Sequence, residues 1–129
     1  MADAVPERAE TLLTSEPLMA HLATSVDDRP HVAPVWYDYA DGVVEVLTGG
    51  RKLRDIRENP KVALSVQKDA GGDAEWMVAI HGTASVVEDE AATRDAAGRI
   101  NEKYGASEDA YAENVLVRID VGSARFREY

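Results

Sequence analysis

The pattern of this chain is a series of runs rich in apolar and β-branched residues, each bounded by turn residues. It predicts six strands: Leu18–Ser25, His31–Tyr39, Val43–Leu47, Lys61–Gln67, Glu75–Val87 and Asn114–Phe126. Turn residues punctuate them. Val26-Asp27-Asp28-Arg29-Pro30 and Asp41-Gly42 read as hairpin turns, and Ala70-Gly71-Gly72-Asp73-Ala74 as a loop. Pro34 donates no ladder bond, so its strand belongs at an edge or carries a bulge. Gly82, inside the longest run, predicts a bulge or a close backbone approach. Three segments depart from this pattern. A helix begins near Pro6 and ends before Ser15-Glu16-Pro17. A short helix spans about Leu53–Glu58 and stops at Asn59-Pro60. A longer one spans about Asp89–Tyr104 and is closed by Gly105. Hairpin-linked antiparallel strands with few helices predict a small, mainly β barrel with flanking helices. No repeat, linker or low-complexity tract divides residues 1–129, so a single domain is expected.

The candidate chemistry lies at Thr48-Gly49-Gly50-Arg51-Lys52, between the third strand and the short helix. A strand, a Gly-rich turn and a helix start make an anion site. The first helical amides lack intrahelical partners, and the dipole adds partial positive charge. Thr48 contributes a hydroxyl, and Arg51 and Lys52 contribute two cations. The plainer reading is that both cations are solvated surface charges.

Composition narrows the function classes. With 129 residues and no cysteine, disulfides, thiol nucleophiles and Cys-ligated metals are excluded. Asp plus Glu number 24 against 14 for Lys plus Arg, a net charge of -10. Such a surface repels nucleic acid and anionic lipid, so neither is expected as a partner. No run approaches a membrane span, and the acidic start Met1-Ala2-Asp3-Ala4-Val5-Pro6-Glu7 is unlike a signal peptide, so a cytoplasmic location is expected. Scarce lysine with abundant Ala and Asp resembles proteins of salt-loving archaea. In that case the acidity is a halophilic solubility adaptation.

The segments His21-Leu22-Ala23-Thr24, Arg29-Pro30-His31-Val32-Ala33-Pro34-Val35-Trp36-Tyr37, Asp41-Gly42, Thr48, Arg51-Lys52 and Asn59-Pro60-Lys61-Val62-Ala63-Leu64 stand in an order and spacing that resemble the pyridoxamine 5′-phosphate oxidase-like split-barrel family. Gly82-Thr83-Ala84 resembles that family's Gly-x-Ala. The resemblance implies a six-stranded antiparallel split β-barrel, a homodimer, and FMN or the related deazaflavin coenzyme held in clefts shared between subunits. It implies that Thr48, Arg51 and Lys52 hold the cofactor phosphate and that Pro34, Val35 and Trp36 line the flavin ring; His31, which follows a turn, is read as a cofactor contact facing the phosphate.

Where pyridoxal-forming oxidases carry an arginine, a lysine and a glutamine for substrate and ring, this chain carries His31, Trp36 and Met77. It also ends at Tyr129, soon after the last strand, without their C-terminal cap. These departures argue against the vitamin B6 reaction. The chain offers no Gly-x-Ser-x-Gly elbow, P-loop or dinucleotide fingerprint. His21, His31 and His81 fall on three strands without metal-ligand spacing, so no metal is expected. His21 reads as a structural histidine and His81 as an exposed strand residue. Trp76 and Tyr37 read as core or interface aromatics, whereas Trp36 suits the flavin cleft or the dimer core. No catalytic residue can be named, because a flavin carries its own redox chemistry. Two functions remain. One is an FMN-dependent oxidoreductase (alternatively a deazaflavin-dependent reductase) moving hydride to or from a small organic substrate. The other is a flavin- or haem-binding protein without turnover.

Overall fold

The computed structural model describes residues 4–129. Met1–Asp3, part of the start read above as unlike a signal peptide, lie outside the described residues. Seven strands and three helices follow in the order α1 (Glu7–Leu13), β1 (Ala20–Val26), β2 (Arg29–Val35), β3 (Tyr37–Ala40), β4 (Val43–Thr48), α2 (Gly50–Glu58), β5 (Lys61–Ala70), β6 (Asp73–Val87), α3 (Glu90–Lys103) and β7 (Val115–Glu128). All pairings are antiparallel, in the order β2-β1-β5-β6-β7-β4-β3.

The count of seven corrects the expected six. The run His31–Tyr39 is not one strand. It breaks at Trp36, which belongs to no ladder. The first half, β2, pairs with β1, and the second half, β3, pairs with β4. These are the two opposite edges of the sheet. One residue therefore carries the chain from one edge to the other. The hydrogen-bonded sheet stays open, and the polypeptide itself joins its ends. Pro34 sits on edge strand β2, where its missing N–H breaks no pairing.

The turns follow their residue types. Asp27 and Asp28 have φ of 51° and 61°, and Asp41 and Gly42 have φ of 49° and 80°. Positive φ at both central residues matches the right-handed twist of the flanking strands. The β1–β2 turn is accordingly shorter than expected, and Arg29 and Pro30 already belong to β2. At Gly82 the β6–β7 register shifts. A Cβ there would stand 2.5 Å from the Asp120 carbonyl oxygen and 2.8 Å from Ile119 Cγ2, so only glycine fits.

The core lies inside the curved sheet. Leu22, Val44, Val46, Leu64, Val66, Val78, Ile80, Val117 and Ile119 point inward, and α1 adds Ala9, Leu12 and Leu13. Trp76 and Tyr37 are core aromatics, as expected. Leu53 and Ile56 dock α2, and the buried Asp55 carboxylate accepts a 2.9 Å hydrogen bond from the Thr24 hydroxyl of β1. Helix α3 is tied to β3 and β4 by Arg99, whose guanidinium reaches Asp38 and Glu45 at 2.8 Å each. No described helix is long and apolar enough to cross a membrane.

Candidate functional site

A cleft of about 330 Å³ opens where β2 ends and α2 begins. It is lined by Met19, Pro34, Val35, Trp36, Leu47, Thr48, Lys52, Ile100, Asn101, Tyr111 and Asn114. Its size falls within the range of small-molecule sites. Five of the seven expected site residues meet there: Pro34, Val35, Trp36, Thr48 and Lys52.

His31 and Arg51 do not line the cleft, and the reason is local geometry. Helix α2 begins at Gly50, three residues earlier than expected, with Gly50 at φ +61°. Arg51 and Lys52 therefore lie in its first turn rather than in a loop. Successive helical residues point about 100° apart. Lys52 turns to the cleft, while Arg51 runs along the helix to Asp55, Nε to Oδ2 3.6 Å. His31 sits on β2 opposite Thr24, the residue that donates to Asp55. His31 and Arg51 thus belong to the α2–β1–β2 corner. Of the other histidines, His21 and His81 are both exposed, on β1 and β6.

The polar end of the cleft is built by Thr48, at the end of β4, and by Lys52. Gly49 caps α2 without a side-chain bond, and the first turn carries no acidic residue. The opening amides of α2 keep their donors, and no carboxylate competes for an anion there.

The opposite wall is aromatic. Trp36 stacks on Tyr104, ring centroids 4.7 Å apart and planes 6° from parallel, and meets Tyr111 edge-on at 5.4 Å. The Tyr104 hydroxyl donates to the Leu18 carbonyl at 2.7 Å and accepts from the Tyr37 N–H at 3.2 Å. Burial raises the Tyr104 and Tyr37 hydroxyls above the ordinary tyrosine range. Lys103 donates from Nζ to the Tyr37 carbonyl at 2.8 Å and lies 3.8 Å over the Tyr37 ring. Burial lowers its pKa, and nearby Asp38 partly offsets that.

Sequence reasoning missed the contributions of α3 and residues 105–114. Asn101 is buried and donates to the carbonyls of Glu108 and Ala110, both at 3.2 Å, which brings Tyr111 and Asn114 over the cleft. The available signal was a polar Asn on the apolar side of a helix. Beyond Tyr111 and Asn114 lies a second cleft of about 740 Å³. It carries Glu88, Glu90, Glu108 and Asp109 beside Arg57 and Arg94. Both arginines are paired, Arg57 to Glu88 and Arg94 to Glu90, at 3.6 Å each.

The profile of the pyridoxamine 5′-phosphate oxidase family matches residues 5–128. No curated protein matches the chain. Among solved structures, a FAD-binding protein from Mesorhizobium loti shares 24% identity over 97% of this chain and 96% of its own, with a TM-score of 0.77. A structure named as an F420 reductase shares 26% identity over 94% of this chain and 98% of its own, at a TM-score of 0.75. The heme storage protein of Vibrio cholerae shares 18% identity over 96% and 94%, at 0.77, a likeness of fold alone.

Proposed function

The chain belongs to the pyridoxamine 5′-phosphate oxidase family, and from that premise we propose that its cleft binds FMN and serves an oxidoreductase acting on a small organic molecule. The observation that carries this reading is the meeting of Thr48, Lys52 and the uncapped start of α2 with the wall Pro34-Val35-Trp36 in one cleft. The phosphate would lie against Thr48, Lys52 and the α2 amides, where charge-assisted bonds are about twice as strong as neutral ones. The ring would lie against Val35 and Trp36. When bound, the flavin supplies the hydride chemistry. The chain's part is to bind the phosphate, hold the ring and shield one side of it from water.

FMN is favoured over deazaflavin by charge. The deazaflavin coenzyme has an acidic tail beyond its phosphate. The neighbouring cleft presents four carboxylates, and its two arginines are already paired. An acidic tail would be repelled there. Arg54 and Arg57 lie three residues apart on α2 and are the candidates for a basic track, although Arg57 already faces Glu88.

A two-fold homodimer is part of the proposal. The middle of the outer face of β2, β1, β5 and β6 carries Val32, Pro34, His21, Ala23, Ala63, Ser65 and Ala79, without an acidic or lysine side chain among them, and Lys61 stands at its rim. Val32 is 62% exposed. A sheet face whose middle is built from small and apolar groups suits burial against a second copy.

The test is the absorption spectrum of the purified protein, followed by titration of apo-protein with FMN and deazaflavin at molar salt. Flavin bands and tighter FMN binding are expected. Tighter deazaflavin binding, weakened by Arg54→Ala or Arg57→Ala, would overturn the choice of cofactor. A Soret band would move the reading to haem, and binding of none of the three would defeat it. Turnover with NAD(P)H in a steady-state assay separates an enzyme from a carrier.

A further inference from the structure

We propose that Tyr104 is a positioning residue for the cofactor cleft: it sets the place of Trp36 by stacking on its ring and by fastening the chain on either side of it. The proposal rests on the flavin reading above for its functional consequence, while its structural content stands on the geometry alone.

Trp36 occupies the weakest point of the sheet. It has no ladder partner, and the strands that flank it leave for opposite edges. Nothing in the sheet itself fixes its ring. The last turn of α3 does so instead. Tyr104 is the C-cap of α3, and the helix ends in a Schellman arrangement, with Ala106 N–H on the Asn101 carbonyl at 2.8 Å and Gly105 N–H on the Glu102 carbonyl at 3.2 Å. That termination presents the Tyr104 side chain to the β2–β3 break. Its ring lies parallel to Trp36, and its hydroxyl bonds Leu18 before β1 and Tyr37 at the start of β3. Lys103 takes the other polar group of Tyr37, its carbonyl. Tyr37 pairs with β4 on one side only, so the end of α3 stands in for the missing neighbouring strand. The wall of the cleft is thus held by a helix terminus rather than by a ladder.

The experiment isolates Trp36 fluorescence in a Trp76→Phe background, since the chain has only these two tryptophans. Acrylamide quenching and near-UV circular dichroism at the red edge of the band, where tryptophan absorbs and tyrosine does not, then report Trp36, and far-UV circular dichroism reports the fold. Tyr104→Leu should raise quenching at least twofold and remove most of the near-UV signal. Tyr104→Phe keeps the stacked ring and loses both hydroxyl bonds, and it should fall between. Unchanged quenching and near-UV signal in folded Tyr104→Leu would overturn the proposal, with or without cofactor. If Tyr104→Leu does not fold, Tyr104→Phe decides, and a parent-like Trp36 signal overturns the proposal.

The functional arm is a cycle with riboflavin, which lacks the phosphate, and with FMN. Tyr104→Leu should weaken both ligands by about the same factor, on the order of two- to tenfold. In a Trp36→Leu background the same change should cost less than twofold. An equal loss in both backgrounds would show that Tyr104 acts other than through Trp36, and would overturn the proposal. If the parent binds neither ligand, the flavin reading fails, and the fluorescence arm still decides the role of Tyr104.

Discussion

Lys52 and Arg51 are adjacent in sequence, yet only Lys52 lines the cleft, while Arg51 is paired with Asp55. Their substitutions should separate. Lys52→Ala should weaken FMN by roughly ten- to hundredfold, the loss of a charge-assisted bond worth about 1.5–3 kcal/mol. Arg51→Ala should cost about threefold or less, because its charge is already partnered and exposed to solvent. Calorimetric titration of both variants reads the difference. Equal losses would mean that Arg51 leaves Asp55 for the phosphate, and unchanged FMN affinity in Lys52→Ala would defeat the cradle. Glycines offer a second contrast at this scale. Gly82→Ala forces a Cβ against backbone at 2.5 Å and should destabilise by about 1–3 kcal/mol. Gly98, inside α3, has nothing within 4 Å of its would-be Cβ. Gly98→Ala should stabilise by about 0.5–1 kcal/mol through helix propensity. Opposite shifts in thermal midpoint are expected, and a neutral Gly82→Ala would refute the close approach.

Between elements, the charged network on β4 decides the response to acid. Burial alone would raise the Glu45 carboxyl, but hydrogen bonds from Arg118 and Arg99 outweigh it and hold its pKa below the ordinary 4.5. The unfolded chain therefore takes up this proton at a higher pH than the folded protein does. The resulting stabilisation is fully present above about pH 4.5 and is lost as pH falls through the depressed value. Glu45→Gln removes this contribution. Its stability should fall at neutral pH and change less than the parent's between pH 4.5 and the acid limb. Urea unfolding at several pH values tests this, and a parent-like slope in the variant would show that Glu45 does not link α3 and β7 to β4. The same scale explains the strand count. Val32, Val35, Trp36, Tyr37 and Tyr39 dominate the run from His31 to Tyr39 despite Ala33, Pro34 and Asp38, so local propensity reads one strand. Which edge each half joins is a matter of partners far away in the chain.

For the whole molecule, the relevant quantities are net charge and the small, apolar middle of the outer sheet face. At a net charge of -10, two copies repel at low ionic strength and are screened within about 3 Å at molar salt. Light scattering should therefore find a dimer at molar salt and more monomer as salt is withdrawn. Ala63→Glu places a carboxylate in the middle of the outer face and should give a folded monomer at every salt concentration. A dimeric Ala63→Glu would put the interface elsewhere, and a monomeric parent at molar salt would remove the homodimer from the proposal.

The pattern of strand-like runs and hairpin turns determined by itself that this chain is mainly β and antiparallel. It also located the three helices, the hairpin turns and the Gly82 bulge. All are consequences of local sterics and of burying alternate side chains. Residue type singled out the basic pair, because cations at a Gly-rich turn stand out in so acidic a chain, whereas Pro34, Val35 and Trp36 were reached through the family resemblance. Only the tertiary structure decided that the second strand divides at Trp36 and that Lys52 but not Arg51 or His31 reaches the cleft. It alone showed that α3 and the segment after it supply Asn101, Tyr111, Asn114 and the Tyr104 stack. These depend on the onset of a helix by one turn and on contacts between Trp36 and residues some seventy positions later, such as Tyr104 and Tyr111. Neither is encoded in a local window, because helix phase and long-range packing are set by the whole core rather than by neighbouring residues.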